Sequence, residues 1–351
     1  MRNKWKKGLV QLGGWMRGDF PGEGPNNADW LRQIEGNNGW FTPDMVRRSL
    51  NAHGNMLKSE ALDAWLSGYP DPVDSPQKIG CILAGNLPMV GWMDVLTSVL
   101  SGHRAVVKCS SSDALLLPEV VKAWGAFDSR VVDQIQWSDG LLKDTDAVLA
   151  TGSNNSRRYF EHYFRDKPHL IRHQRTGVAF LDGRETDKEL EGLADDALAY
   201  YGLGCRSTTK VFLPEGFDIN RLFQAVFGWS NLAQHNKFAN NYDYHKAVWL
   251  LNQEAILDNG FLLIKEDAGW VSPVGTLFWE SYSDEQALWT KLNDFADQLQ
   301  CITARKARLQ DVQHAVLRPV VPLGSAQSPS ASDYPDGLDT MNFLLSLSSQ
   351  S

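Results

Sequence analysis

The chain has 351 residues, 43% of them hydrophobic and 22% charged, and a formal net charge of -8. That is material for two domains, or one large one, with an ample core. The acidic balance, without a basic stripe interleaved with aromatics, excludes a general nucleic-acid binder.

Residues 1–7 are basic, but the apolar run after them is too short for a signal peptide. Nothing approaches the roughly 18 consecutive apolar residues of a membrane span, so a cytoplasmic protein without a membrane span is expected. Residues 1–70 read as a helical, irregular extension punctuated by Trp30, Trp40, Phe41 and Trp65, and Tyr69-Pro70-Asp71-Pro72 is a break. From there strand and helix patterns alternate: strand 78–84, helix 87–100, strand 105–108, helix 114–127, strand 147–150, helix 156–164, strand 177–181. Such alternation implies βαβ units and a mostly parallel sheet, whose ligand crevice lies at the carboxyl ends of the strands. Three loops follow strands directly, at 84–88, 108–112 and 151–155. Their small hydrogen-bonding residues suit phosphate or ribose at a helix N-terminus, or serve only as helix caps.

A helix over 187–201 then leads to Gly202-Leu203-Gly204-Cys205-Arg206-Ser207 and a strand at 209–213. Beyond lie a helix over 220–233, strands at 247–251, 261–264 and 274–279, a helix over 285–299, a Pro/Ser-rich segment 322–335 and the apolar end 341–347. The polar, aromatic run 235–245 reads as a structural loop, with His235 or His245 as a proton donor the alternative. The expected division is a helical extension 1–70, a nucleotide-binding α/β domain 71–182, a catalytic α/β domain 183–318 and a tail 319–351.

The cysteines Cys81, Cys109, Cys205 and Cys301 are far apart, with no Cys-x-x-Cys pair and no Cys/His ligand spacing, so neither a disulfide framework nor a metal site is expected. Cys205 is a different case. A small nucleophile on a glycine-flanked junction is where a covalent catalyst is placed, although a lone buried cysteine also serves as a small hydrophobe.

Five segments in order carry a resemblance: Ile79-Gly80-Cys81-Ile82-Leu83-Ala84-Gly85-Asn86-Leu87-Pro88, Val106-Val107-Lys108-Cys109-Ser110, Leu149-Ala150-Thr151-Gly152-Ser153, Gly204-Cys205-Arg206-Ser207 and Ser272-Pro273-Val274-Gly275. Over about residues 75–345 the chain resembles the aldehyde dehydrogenase superfamily, and within it the LuxC-type acyl-CoA reductases. The resemblance implies an α/β, aldehyde dehydrogenase-like fold, with two Rossmann-like α/β domains and the active site at their junction. It makes Cys205 the catalytic nucleophile and Asn86 the side-chain half of an oxyanion hole completed by the Cys205 N–H. A preorganised amide donor of that kind is worth ~3–4 kcal/mol. Lys108, Ser110, Ser111, Thr151, Gly152 and Ser153 become cofactor-binding positions, with a homo-oligomer as the candidate assembly.

Departures from the superfamily pattern sharpen the expectation. Where ordinary relatives carry a water-activating glutamate, residues 167–177 have no carboxylate, and a base there would waste a thioester by hydrolysis. Neutral Ser111 does not repel a 2′-phosphate and Lys108 attracts it, so NADPH is the expected cofactor, with NADH the alternative. No acidic residue occupies Gly269. Arg206, Lys210 or the nicotinamide ring are the candidate charges for stabilising the Cys205 thiolate, since the cysteine follows a helix C-terminus. The expected function is NADPH-dependent reduction of an acyl-CoA, with a fatty acyl chain expected, to the aldehyde through a Cys205 thioester, with CoA as leaving group. An acyl phosphate or acyl-protein thioester donor, or an inactive scaffold of the same fold, are the alternatives.

Overall fold

The computed structural model describes residues 3–140, 142–152 and 154–347. They form two compact units, one of residues 1–174 with 329–351 and one of residues 175–328.

The first unit carries five parallel strands, β1 (Lys78–Ile82), β2 (Arg104–Lys108), β3 (Ile135–Trp137), β4 (Ala147–Thr151) and β5 (His169–Arg172), in the order β3-β2-β1-β4-β5. The chain winds outward from β1 in one direction, then restarts at β4 in the other. The carboxyl ends of β1 and β4 therefore flank a topological switch point, the place where such sheets bind ligands. Ile79, Cys81, Ala147, Val148 and Leu149 are all fully buried, as expected for strands covered on both faces.

The expected extension 1–70 is part of this core. Helices Asn3–Arg17, Ala28–Asn37, Pro43–Met56 and Ser59–Leu66 bury Trp5, Leu9, Leu12, Leu31, Leu50 and Trp65 in the same apolar cluster as Trp92, Leu96 and Trp124. Trp5 and Trp92 meet Trp124 edge-on, with centroids 6.0 and 5.6 Å away. The end of the chain also returns here. Helix Thr340–Ser346 buries Met341 and Leu344, and Tyr334 OH accepts from Trp65 Nε1 at 2.7 Å.

The second unit carries β6 (Thr176–Phe180), β7 (Thr208–Pro214), β8 (Leu257–Asp258), β9 (Leu263–Glu266), β10 (Thr276–Tyr282), β11 (Leu299–Ala304) and β12 (Val320–Pro322). Their order is β12-β11-β6-β7-β10-β9-β8, parallel except for the β8–β9 pair. The sequence reading sets the domain boundary at 182/183; the units divide at 174/175, because β6 pairs with β7 and β11. Nor do residues 319–351 form one tail. Those up to Ser328 stay with the second unit, and the rest join the first.

Two further elements differ from expectation. Residues 235–251, read as a loop and a strand, form one helix, Asn236–Leu251, capped by His235, whose Nδ1 accepts from the Phe238 N–H at 3.2 Å. Phe238, Tyr242 and Trp249 are its buried residues, and the apolar run 247–251 is its last turn. Helix Trp92–Leu100 starts five residues later than its apolar pattern, because Met89 holds φ 64° and residues 83–91 are a loop. No helix among the described residues is long and apolar enough to cross a membrane.

Candidate active site

The switch point of the first unit gathers the predicted cofactor positions onto adjacent strand ends. Lys108 is the last residue of β2 and Thr151 the last of β4, both half-buried, while Asn86 is exposed on the loop after β1. Asn86 is not the cap of the following helix; Gly91 occupies that position. The β1 and β2 loops are pinned together. A Cβ on Gly85 would lie 2.6 Å from Ser110 Oγ, and Asn38 Nδ2 donates to the Ser112 carbonyl at 3.2 Å. Ser110 Oγ also accepts from the Ser112 N–H at 3.2 Å, opening a 3₁₀ turn Ser111–Asp113 in which Ser111 is exposed. Gly152 is required by packing, since a Cβ there would come within 2.9 Å of Ser156 Cβ. Ser153 lies outside the described residues.

Asp113, at the end of that 3₁₀ turn, is 6% exposed. Burial pushes its pKa up to about 6, against the backbone N–H groups of Met89, Leu117 and Leu116, which favour the charged form. Oδ1 has no hydrogen-bond partner. The acidic side chain nearest Ser111 in the loop is thus committed to an interior position. Hydroxyls and a lysine at a switch point, with the loop's carboxylate turned inward, fit a nicotinamide dinucleotide.

The raised value has a consequence for stability. The folded state binds the Asp113 proton more tightly than the unfolded chain, so this contribution is complete below about pH 4 and is lost as pH rises through about 6. Asp113→Asn is expected to gain on the wild type between pH 4 and 7.5 by up to about 3 kcal/mol, the equivalent of roughly two pKa units. Urea unfolding at both pH values measures it, and a pH-independent difference would contradict the buried carboxyl.

Sequence reasoning missed the ionic cluster beside the switch point. Arg172, the last residue of β5, places Nη1 2.7 Å from both oxygens of Asp94 and Nη2 2.7 Å from Thr340 Oγ1. Arg172 and Asp94 are each 3% exposed. The backbone N–H of His173 donates to Asp336 Oδ2 at 3.3 Å. Residues 167–177 therefore contain no carboxylate, but two reach them from distant segments, and both are engaged by arginine or backbone.

In the second unit, helix Asp187–Leu198 starts from a Thr186/Glu189 capping box and stops three residues before the expected end. Tyr200, Tyr201 and Gly202 follow with φ of 53°, 61° and 74°. Two consecutive non-glycine residues in the left-handed region cost of order 1–3 kcal/mol each and persist only where packing over-determines them. Here both tyrosines are buried, and Tyr201 stacks on His235 at 4.4 Å. The imidazole of His235 is thus both stacking partner and helix cap.

Beyond this strained bend, Gly204-Cys205-Arg206-Ser207 closes a turn in which the Ser207 N–H donates to the Gly204 carbonyl at 3.0 Å. Cys205 occupies its second position and is half-buried. The turn lies against β6. Gly177 N–H donates to Ser207 O at 3.0 Å, and a Cβ on Gly177 would stand 2.8 Å from the Arg206 carbonyl. Only glycine permits that approach.

Lys210, the second candidate charge, is engaged by other groups. It is fully buried, with Nζ 2.6 Å from Glu280 Oε2 and 2.9 Å from the Asp267 carbonyl. Burial lowers its pKa, with Glu280 opposing. Arg206 Nε donates to the Ala326 carbonyl. His245 packs against Trp249, its pKa lowered by burial. Among the described residues no group of three or more His, Cys, Asp or Glu side chains could hold a metal ion.

The fold is that of the aldehyde dehydrogenases. Aldehyde dehydrogenase 21 of Physcomitrella patens matches with a TM-score of 0.69 at 11% identity, covering 98% of this chain and 84% of that one. Betaine aldehyde dehydrogenase of Staphylococcus aureus, solved in complex with NAD+, matches at 0.66 and 11% identity, covering 92% and 75%. Within that class, residues 55–313 match the acyl-CoA reductase (LuxC) family, and the chain belongs to it. A curated relative, long-chain acyl-protein thioester reductase 2 of Photobacterium leiognathi, is 21% identical over 237 residues, covering 62% of this chain and 49% of the relative. The chain thus spans about half the length of that curated relative.

Proposed function

We propose that the protein reduces an acyl-CoA to the aldehyde through a Cys205 acyl-enzyme, using NADPH. The observation that carries this reading is the strained bend Tyr200–Gly202, maintained by burial immediately ahead of the Cys205 turn in a member of an acyl reductase family. The Cys205 thiolate attacks the thioester carbon, the carbon–sulfur bond to CoA breaks, and CoA leaves as thiolate. Asn86 and the Cys205 N–H stabilise the oxyanion. Bound NADPH supplies the hydride equivalent that takes the acyl group to the aldehyde oxidation level. Collapse of the resulting thiohemiacetal releases aldehyde and returns the electron pair to Cys205. The lack of a carboxylate in residues 167–177 favours transfer to hydride over hydrolysis.

Lys108, Ser110, Ser111, Thr151, Gly152 and Ser153 are the proposed cofactor positions. NADPH oxidation with a panel of acyl-CoAs tests the reading. Turnover of free aldehyde plus NAD to carboxylic acid, with none of any acyl-CoA, would overturn it. An acyl-protein thioester donor is the second reading, favoured by the name of the curated relative; mass spectrometry of acyl-Cys205 formed from each donor separates the two. Asn86→Ala is expected to lower kcat by about 10²–10³-fold with little change in KM, because the amide acts on charge that develops in the transition state. A fall confined to KM would remove Asn86 from that role.

A further inference from the structure

The loop after β12 is built into the support of the Cys205 turn. Asp196, fully buried on helix Asp187–Leu198, accepts the Gly324 N–H at 2.7 Å on Oδ2 and the Ala326 N–H at 2.9 Å on Oδ1. The helix and loop backbones touch, since a Cβ on Gly192 would lie 3.0 Å from Gly324 Cα. Gln327, 9% exposed, then donates from Nε2 to the Asp196 carbonyl at 3.2 Å and to Ser207 Oγ at 3.3 Å. The same Ser207 Oγ accepts the Gly204 N–H at 3.1 Å. Residues 324–327, more than a hundred positions away in sequence, thereby hold both ends of the four-residue turn that carries Cys205. A charge-assisted anchor, an amide with two acceptors and a hydroxyl with two donors leave the turn little freedom.

We infer that Asp196, Gln327 and Ser207 are positioning residues that brace the Cys205 turn and set the direction of its thiol. The inference rests on the reading of Cys205 as nucleophile, and it assigns a task to a segment that the mechanism leaves idle. Misplacing a reacting atom by about 1 Å can cost 10²-fold in rate.

The test uses the full chain with Gln327→Met, which keeps side-chain volume and removes the donor, and Ser207→Ala. Two readouts are taken: the pH profile of Cys205 alkylation by iodoacetamide, followed on the Cys205 peptide by mass spectrometry, and kcat and KM with an acyl-CoA. Melting temperature reports folding. Both variants are expected to alter the alkylation rate and lower kcat by roughly tenfold, with KM within about twofold. The double variant should fall short of the product of the two single effects, because the two groups share one contact. Unchanged alkylation and kcat in folded Gln327→Met and Ser207→Ala overturn the brace, even where Cys205→Ser abolishes turnover. Altered alkylation alongside a fully active Cys205→Ser variant upholds the brace and overturns the catalytic reading instead.

Discussion

Replacing Cys205 by serine is expected to lower acyl-CoA-dependent NADPH oxidation by at least about 10³-fold, and to abolish the acyl-enzyme seen by mass spectrometry. A hydroxyl is similar in size but far less acidic than a thiol, and so a much weaker nucleophile near neutral pH. The bend ahead of it should survive, because Tyr200 and Tyr201 are held by their own burial and by His235. The melting temperature is therefore expected to stay within a few degrees while turnover disappears. Cys109→Ser offers the contrast. Burial and Asp113 push that thiol up to about 12, so it is not a thiolate at neutral pH, and its loss should leave the acyl-enzyme intact.

The largest effect on stability is expected from Asp94→Ala. It strips the counter-ion from Arg172, whose side chain is 3% exposed and whose Nε already has no hydrogen-bond partner. Leaving one charge of a buried pair uncompensated costs about 3–5 kcal/mol. Urea unfolding followed by tryptophan fluorescence reads it directly, since Trp92 and Trp124 lie in the same core cluster. The double variant Asp94→Leu/Arg172→Met should recover most of the loss, because an apolar pair of similar volume removes the desolvation penalty altogether. A cost below about 1 kcal/mol for Asp94→Ala would mean that water reaches the guanidinium.

The alternation of strand and helix was legible because a parallel sheet covered on both faces demands continuous apolar runs, and β1, β2, β4, β6 and β7 have them. β5 escaped notice because it is a four-residue edge strand, His169–Arg172, with half of its residues polar. Helix Asn236–Leu251 was hidden by its asparagines and tyrosines, which favour turns locally and are overruled by burial of Phe238, Tyr242 and Trp249.

At the candidate site, strand ends and glycines drew attention to the loops carrying Asn86, Lys108 and Thr151 and to Cys205, and the family resemblance supplied their roles. The glycine-flanked junction marks the bend in the sequence by Gly202 and Gly204, yet Tyr200 and Tyr201 carry it together with Gly202, and tyrosine carries no sequence signal for a left-handed backbone. The Arg172–Thr340 and Ser207–Gln327 contacts join segments more than a hundred residues apart. Local pattern holds no information about such pairs.

The chain leaves the first unit after residue 174 and returns to it only at residue 329. During synthesis the second unit, being continuous, can fold once residue 328 has emerged. The first must wait for Thr340 to reach Arg172 and for Met341 and Leu344 to enter its core. At typical elongation rates of ~5–20 residues per second that interval is roughly 10–30 s. Throughout it the nascent first unit exposes the apolar seat of helix Thr340–Ser346, so the interval in which the second unit is being made is the one most open to aggregation.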